Sequence, residues 1–326
     1  MLFHLRPLVH FQYIQQWVAQ NKGRARLDML SFGLEVIAHN RIFRLTPQFI
    51  YKVNGKLRYR PDLSPDVTGF IGWLPYFNKQ WEEATDKIAF KKTLSSIGRK
   101  TPAWHTDMQE LPVNVLVKES RGSFGEGLRG PYRQIDPAVE AHQLAEGEFY
   151  EQFVPGKILK VWYWNGELIC LELREPLCVR GDGSSTVLDL CHSTFQIDSG
   201  ARKQEFADRK KHLHDLLAYQ DAGWDTVLSP GAMLQIDYLY GSCMYMPEFE
   251  NVNQLRNIRS SPLEKELLEC GPLFWRTIPE AIRKNSLFSV DAVIDDKATV
   301  WWLEINCNPM FPPDAYPRML DCLFKE

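Results

Sequence analysis

Apolar residues at near-helical spacing open the chain. Leu8, Phe11, Ile14, Trp17 and Val18 fall on one face, and Asn21 to Gly23 supply a stop, so residues 8–22 are expected to form a helix. Strand-like runs follow over residues 27–60. Phe49-Ile50-Tyr51-Lys52-Val53 and Lys56-Leu57-Arg58-Tyr59 flank Asn54-Gly55, a two-residue hairpin signature. Pro, Asp and Ser mark 61–68 as a loop. Thr85-Asp86 can cap a helix from Lys87 through Leu94 that stops near Gly98. Val113 to Lys118 reads as a short apolar strand running into a Gly-rich stretch. Asn165-Gly166, between Lys160–Trp164 and Leu168–Leu171, predicts a second hairpin. Residues 187–219 read as mostly helical, 234–246 as strands, 262–284 as helices, and 288–305 as two buried strands around Asp295-Asp296-Lys297. No fixed-period repeat or low-complexity tract interrupts this order. The pattern predicts an α+β chain in three parts: a mixed α/β N-terminal lobe at 1–85, a small lobe at 86–150 and a larger lobe at 151–326.

Composition fits that picture. The 326 residues are 44% hydrophobic and 24% charged, enough for a sizeable globular core. A net charge of −3 gives no support to a nucleic-acid footprint. Seven cysteines without a CxxC pair argue against zinc or thioredoxin-like chemistry, and their odd, scattered placement suits reduced thiols. No apolar run approaches the ~20 residues of a membrane span. Met1 to His10 lacks the apolar core and cleavage site of a signal peptide. A cytoplasmic enzyme without nucleic-acid or membrane partners is therefore expected, with a homodimer as the commonest oligomer.

Four groups of residues carry candidate chemistry. Lys118 precedes Ser123-Phe124-Gly125-Glu126-Gly127, where glycines let backbone N–H groups approach an anion closely. The pattern is neither a Walker A loop nor a dinucleotide fingerprint, and an ordinary Gly-rich turn is the competing reading. Glu304 and Asn306 are two apart on one strand and share a face, on which Trp302 is also expected; Asp291 lies on the preceding strand. Two carboxylates and an amide suit Mg²⁺, whereas a solvated strand face is the bland alternative. Glu151-Gln152-Phe153-Val154-Pro155-Gly156 offers an acid beside apolar backbone that can read adenine, or simply a strand end and turn. Lys160, Arg174 and Arg180 suit phosphate or carboxylate recognition, against ordinary surface charge. Trp73, Tyr76, Phe77 and Trp81 are expected in a core cluster, with a pocket lining as the alternative.

The order of these groups resembles the ATP-grasp superfamily over about residues 86–326. Trp302-Leu303-Glu304-Ile305-Asn306-Cys307-Asn308-Pro309 looks like its metal-binding strand. Arg174-Glu175-Pro176, followed by Gly181-Asp182-Gly183-Ser184-Ser185-Thr186, is similar to a segment of cyanophycin synthetases and bifunctional glutathione synthetases. The resemblance implies an ATP-grasp fold whose two α+β lobes sandwich ATP. It implies Lys87 and Lys118 on the phosphates and adenine side, Ser123 to Gly127 as a lid, and Glu151 with the Phe153–Val154 backbone on adenine. Asp291, Glu304 and Asn306 would hold Mg²⁺, Arg174 would face the transferring phosphoryl group or the acyl phosphate, and Lys160, catalytic with it, stands where relatives often have arginine. Ile158 stands where relatives place a ribose-binding glutamate, a departure from the pattern. The implied reaction is ATP-dependent, ADP-forming ligation of a small carboxylate to an amine, such as an amino acid or peptide, through an acyl phosphate. A small-molecule kinase and a nucleotide-binding protein without turnover are the alternatives.

Overall fold

A computed structural model describes residues 7–53, 56–107, 114–122, 127–197, 200–240 and 252–325. The first helix, α1 (Pro7–Gln20), turns Ile14, Trp17 and Val18 inward. Lys22 adopts a positive φ of 53° just beyond it, which ends the helix two residues before the expected limit. Strands β1 (Arg24–Leu27), β2 (Leu34–Ala38), β3 (Arg41–Val53), β4 (Lys56–Arg60) and β5 (Val67–Leu74) form one antiparallel sheet ordered β1-β2-β3-β4, with β5 also on β3. Val53 pairs with Lys56, framing the expected hairpin, whose Asn54-Gly55 turn lies outside the described residues.

Helix α2 (Lys87–Ser96) begins where Asp86 accepts hydrogen bonds from Ile88 N at 2.9 Å and Ala89 N at 3.3 Å, satisfying two donors that the helix cannot. A second sheet follows, built from β6 (Trp104–His105), β7 (Val115–Glu119), β8 (Arg129–Tyr132) and β9 (Glu148–Gln152) in the order β6-β9-β7-β8. Strands β10 (Lys157–Trp164) and β11 (Glu167–Arg174) form the second expected hairpin. Its turn needs positive φ at both Asn165 (50°) and Gly166 (83°). Gly166 also lies so close to Trp275 that a Cβ would sit 3.0 Å from the tryptophan Cβ.

Strand β12 (Leu177–Arg180), helices α3 (Val187–Phe195) and α4 (Gly200–Tyr219), and β13 (Met233–Asp237) enclose a small core around Val179, Leu190, Leu213 and Ile236. The helical stretch at 187–219 is thus two helices, separated where Gln196 turns left-handed at φ 50°. Strand β13 ends at Asp237, and residues 238–240 of the expected 234–246 strand region carry no strand. The Asp237 carboxylate accepts from Tyr238 N (2.7 Å) and Leu239 N (2.9 Å), turning the chain out of the ladder, and residues 241–246 lie outside those described. Helices α5 (Pro262–Thr277) and α6 (Glu280–Arg283) precede β14 (Leu287–Ile294), β15 (Val300–Cys307) and α7 (Tyr316–Lys325).

The sheet ordered β11-β10-β14-β15 is antiparallel throughout and sets the two main cores apart. One face carries Leu159, Val161, Leu171, Val290 and Ile305 against Phe90 and Leu94 of α2 and Phe274 of α5. Each of those buried side chains contributes about 2 kcal/mol by leaving water. One end of the sheet, at Trp162, Trp164 and Leu287, joins α1, the N-terminal sheet and α7 in a second core. Trp73 is buried there and Trp81 in the first core, as expected of core aromatics, while Tyr76 is half-buried and Phe77 is exposed.

Trp302 corrects the sequence expectation. It is buried in the apolar core against Phe274, at a ring separation of 5.0 Å, and does not share a face with Glu304 and Asn306. A bulge is the reason. Asp291 pairs with Glu304 and Ala292 with Trp302, so Leu303 is an extra residue that inverts the alternation.

Candidate active site

Alternation on the four-stranded sheet places charged residues on the face away from the first core. Register lines up four of them in one transverse row. Glu172 on β11 stands opposite Lys160 on β10, Lys160 opposite Asp291 on β14, and Asp291 opposite Glu304 on β15. Lys160 Nζ donates to Asp291 Oδ1 at 2.5 Å, and Asn306 Nδ2 donates to Asp291 Oδ2 at 3.0 Å. Lys87 closes the row: its Nζ lies 3.2 Å from Glu304 Oε2 and also donates to the Gly122 carbonyl. A cation in the first turn of a helix opposes the helix dipole, and these two oxygens offset that cost.

The row is polarised. Burial pushes the Asp291 carboxyl above the ordinary range, Lys160 opposing and Glu304 adding to the shift. Burial acts the same way on Glu304, but Lys87, Lys118 and Lys160 together outweigh it and hold Glu304 below the ordinary range.

A second charged group lies between α2 and the second sheet. Glu151 on β9 is buried, with one carboxylate oxygen hydrogen-bonded by Lys118 of β7 and the other 2.5 Å from Lys91 Nζ, an ion-pair contact off the hydrogen-bond axis. Lys91 also donates to Thr101 Oγ1 at 2.9 Å. Burial raises the cost of ionising Glu151, yet the two ammonium groups hold its pKa below the ordinary value. Phe153, just past β9, donates its backbone N–H to the Asn114 carbonyl at 2.6 Å and packs its ring between Tyr219 and Tyr238. Val154 is half-buried beside it. Gly127 holds φ 72° at the return toward β8, where a Cβ would lie 2.6 Å from the Glu119 carboxylate; Ser123, Phe124 and Gly125 lie outside the described residues.

Arg174 ends β11. Its Nε donates to Glu172 Oε1 at 2.6 Å and its Nη1 to the Tyr240 carbonyl at 2.8 Å. Ile158 is buried, two residues before Lys160 on β10 and opposite Arg174. Arg180 stands apart on β12, exposed beside Gly231. Thus Lys87, Lys118, Lys160, Asp291, Glu304 and Asn306 converge, with Glu151 and Arg174 at their margins. Three participants escaped sequence reasoning. Lys91 carried a signal, since it lies four residues after Lys87 and shares its helix face. Glu172 carried one too, two residues before Arg174 on the same strand face. Tyr240 carried none.

Comparison with known proteins adds relatives. No family model matches the chain. It is 30% identical over 131 residues to a cyanophycin synthetase from Synechocystis, an alignment that takes in 35% of this chain and 15% of that protein. The fold is similar to that of a bifunctional glutathione synthetase from Pasteurella multocida, with a TM-score of 0.43, 14% identity, and coverage of 96% of this chain and 44% of the other. It is also similar to a D-alanine–D-alanine ligase from Bacillus anthracis in complex with ATP, with a TM-score of 0.37, 14% identity, and coverage of 74% and 66%. The chain therefore spans about a seventh of the curated relative and under half of the first of these structures. Both kinds of protein named by the sequence resemblance reappear in these comparisons. No helix among the described residues is long and apolar enough to cross a membrane.

Proposed function

We propose that this chain is an ATP-grasp-type enzyme that activates a small carboxylate with ATP and joins it to an amine, releasing ADP and phosphate. The observation that carries the reading is one end of the transverse row: Asp291 and Glu304 on adjacent strands, each bearing a lysine, with the Asn306 amide on Asp291 and a second lysine cluster alongside. Among the described residues no three His, Cys, Asp or Glu side chains cluster in the manner of a protein-only metal cage. Two carboxylates and an amide instead suit Mg²⁺, which takes few protein ligands and completes its shell with phosphate oxygens and water. The ammonium groups of Lys160 and Lys87 already stand in as cations on Asp291 and Glu304, so the donor set fits a divalent ion. When bound, Mg²⁺ would neutralise charge on the transferring phosphates.

The chain's own residues supply the rest of the proposed mechanism. Lys87 and Lys118 orient the phosphates, and the Phe153–Val154 segment borders adenine. Glu151 serves that end by holding Lys118, since both of its oxygens are already met by lysines. Lys160 and Arg174 face the phosphoryl group as it moves to the substrate carboxylate, where positioning and charge neutralisation matter more than a protein nucleophile. The amine then displaces phosphate from the acyl phosphate, forming the amide.

The test is ADP formation and phosphate release from Mg-ATP, screened against pooled amino acids and dipeptides. Release that requires both a carboxylate and an amine supports the ligase. ADP without free phosphate replaces it with a kinase. Failure to bind ATP overturns the reading altogether.

A further inference from the structure

We infer that Tyr240 and Glu172 are positioning residues that gather Lys160 and Arg174 into one receptor for the transferring phosphoryl group. The inference rests on the phosphoryl-transfer reading above and adds two residues to it. Lys160 Nζ lies 4.7 Å from the centroid of the Tyr240 ring and Arg174 Cζ lies 4.4 Å from it, so one ring face system serves two cations. Two like charges brought to one ring repel. An aromatic quadrupole attracts each of them, and flanking carboxylates complete the compensation. Asp291 holds Lys160. Glu172 holds Arg174, with Oε1 2.6 Å from Nε and 2.5 Å from Nη2, while its Oε2 accepts from the Tyr240 hydroxyl.

The ring is thereby fixed at two points. Its hydroxyl is tied to Glu172, and its backbone carbonyl accepts from Arg174 Nη1 at 2.8 Å. Burial and the neighbouring Glu172 carboxylate push the phenol well above its ordinary pKa, so it remains a donor. Glu172 itself is buried, only 8% exposed at its side chain, a placement that costs free energy unless the charge is paired. A plain packing role at position 240 needs neither an aromatic ring nor a buried carboxylate beneath it. What this arrangement provides is two cations held side by side before any ligand arrives. Such preorganisation favours a transition state whose charge is spread over several phosphoryl oxygens.

The test uses the full chain and measures, by calorimetry, the affinity for Mg-ADP with and without aluminium fluoride, a mimic of the phosphoryl group in transfer. The wild type is expected to bind ADP at least about tenfold more tightly with the fluoride present. Tyr240→Leu is expected to lose most of that gain, with its affinity for ADP alone changed by no more than about twofold. Tyr240→Phe keeps the ring and is expected to retain most of the gain. A Leu variant that keeps the full gain overturns the inference, as does loss of ADP affinity in equal measure with Leu and Phe, which marks a merely structural role. A wild type that gains nothing from the fluoride removes the inference together with the phosphoryl-transfer reading. A gain in the wild type that Tyr240→Leu preserves removes the inference alone. If Tyr240→Leu does not fold, Glu172→Gln decides, with a reduced gain expected and an unchanged one overturning the proposal.

Discussion

The two lysine–carboxylate groups are built from the same residue types and do different things. At Glu151 the pairing is closed: the carboxylate is 2% exposed, Lys91 is 0% exposed, and two cations share one anion. Along the row the pairing is one to one, and Asp291 and Glu304 remain 18% and 28% exposed. The buried Glu151–Lys91 pair holds elements together, because neither side chain can be reached without unfolding the site, while Lys118 keeps an exposed edge toward the phosphates. An open group can exchange its lysines for an incoming cation. The first group is therefore expected to register mainly in stability and the second mainly in ligand binding.

Lys91→Met should give the largest effect. It leaves a buried carboxylate with half its compensation, and breaking a buried pair from one side costs about 3–5 kcal/mol. Lys118 remains, so a loss near the lower end is expected in urea unfolding; a loss under about 1 kcal/mol would place this group with ordinary surface pairs. Glu304→Gln comes next. It should reduce ATP turnover by about a hundredfold, equivalent to about 2.7 kcal/mol, with stability changed far less. Unaltered turnover would dismiss the metal assignment. Lys160→Met sharpens the contrast in the opposite sense, by a gain. Freeing Asp291 from its internal cation should strengthen Mn²⁺ binding without nucleotide by about tenfold, read by Mn²⁺ electron paramagnetic resonance. Equal binding in the wild type and variant would mean that the lysine does not occupy the cation's place.

How much of this contrast could be read beforehand depended on how local its causes were. The Asn165-Gly166 hairpin, the Asp86 cap and the strand pair around Asp295-Asp296-Lys297 follow from residues within a few positions of one another, and all three form. Asp291, Glu304 and Asn306 were legible because strand alternation puts Glu304 and Asn306 on one face and the hairpin brings Asp291 across. Trp302 was misplaced because the bulge at Leu303 arises from pairing across strands, which period-two counting does not register. The commitment of Glu151 to two lysines was hidden for a related reason. It depends on α2 packing Phe90 and Leu94 into the sheet core, which aims Lys91 at β9. Tyr240 reaches Lys160 only because the chain leaves β13 at Asp237, and no short-range signal marks that path.

Acid titration tests the closed group with the smallest change, because in the row a raised Asp291 and a depressed Glu304 act in opposite senses. Lys91 and Lys118 hold the Glu151 carboxyl below its ordinary value despite its burial. The unfolded chain therefore takes up this proton at higher pH than the native state does. Stability contributed by Glu151 is complete above the ordinary carboxylate range, about pH 4.5, and is lost as pH falls through its depressed native value. One such group adds a slope of at most about 1.4 kcal/mol per pH unit in that window. The urea midpoint of the wild type should thus fall faster below pH 4.5 than that of Glu151→Gln, and the two curves should run parallel above it. Curves that stay parallel down to pH 3 would mean that the two lysines do not stabilise the ionised carboxylate, and the closed group would lose its claim to differ from the open row.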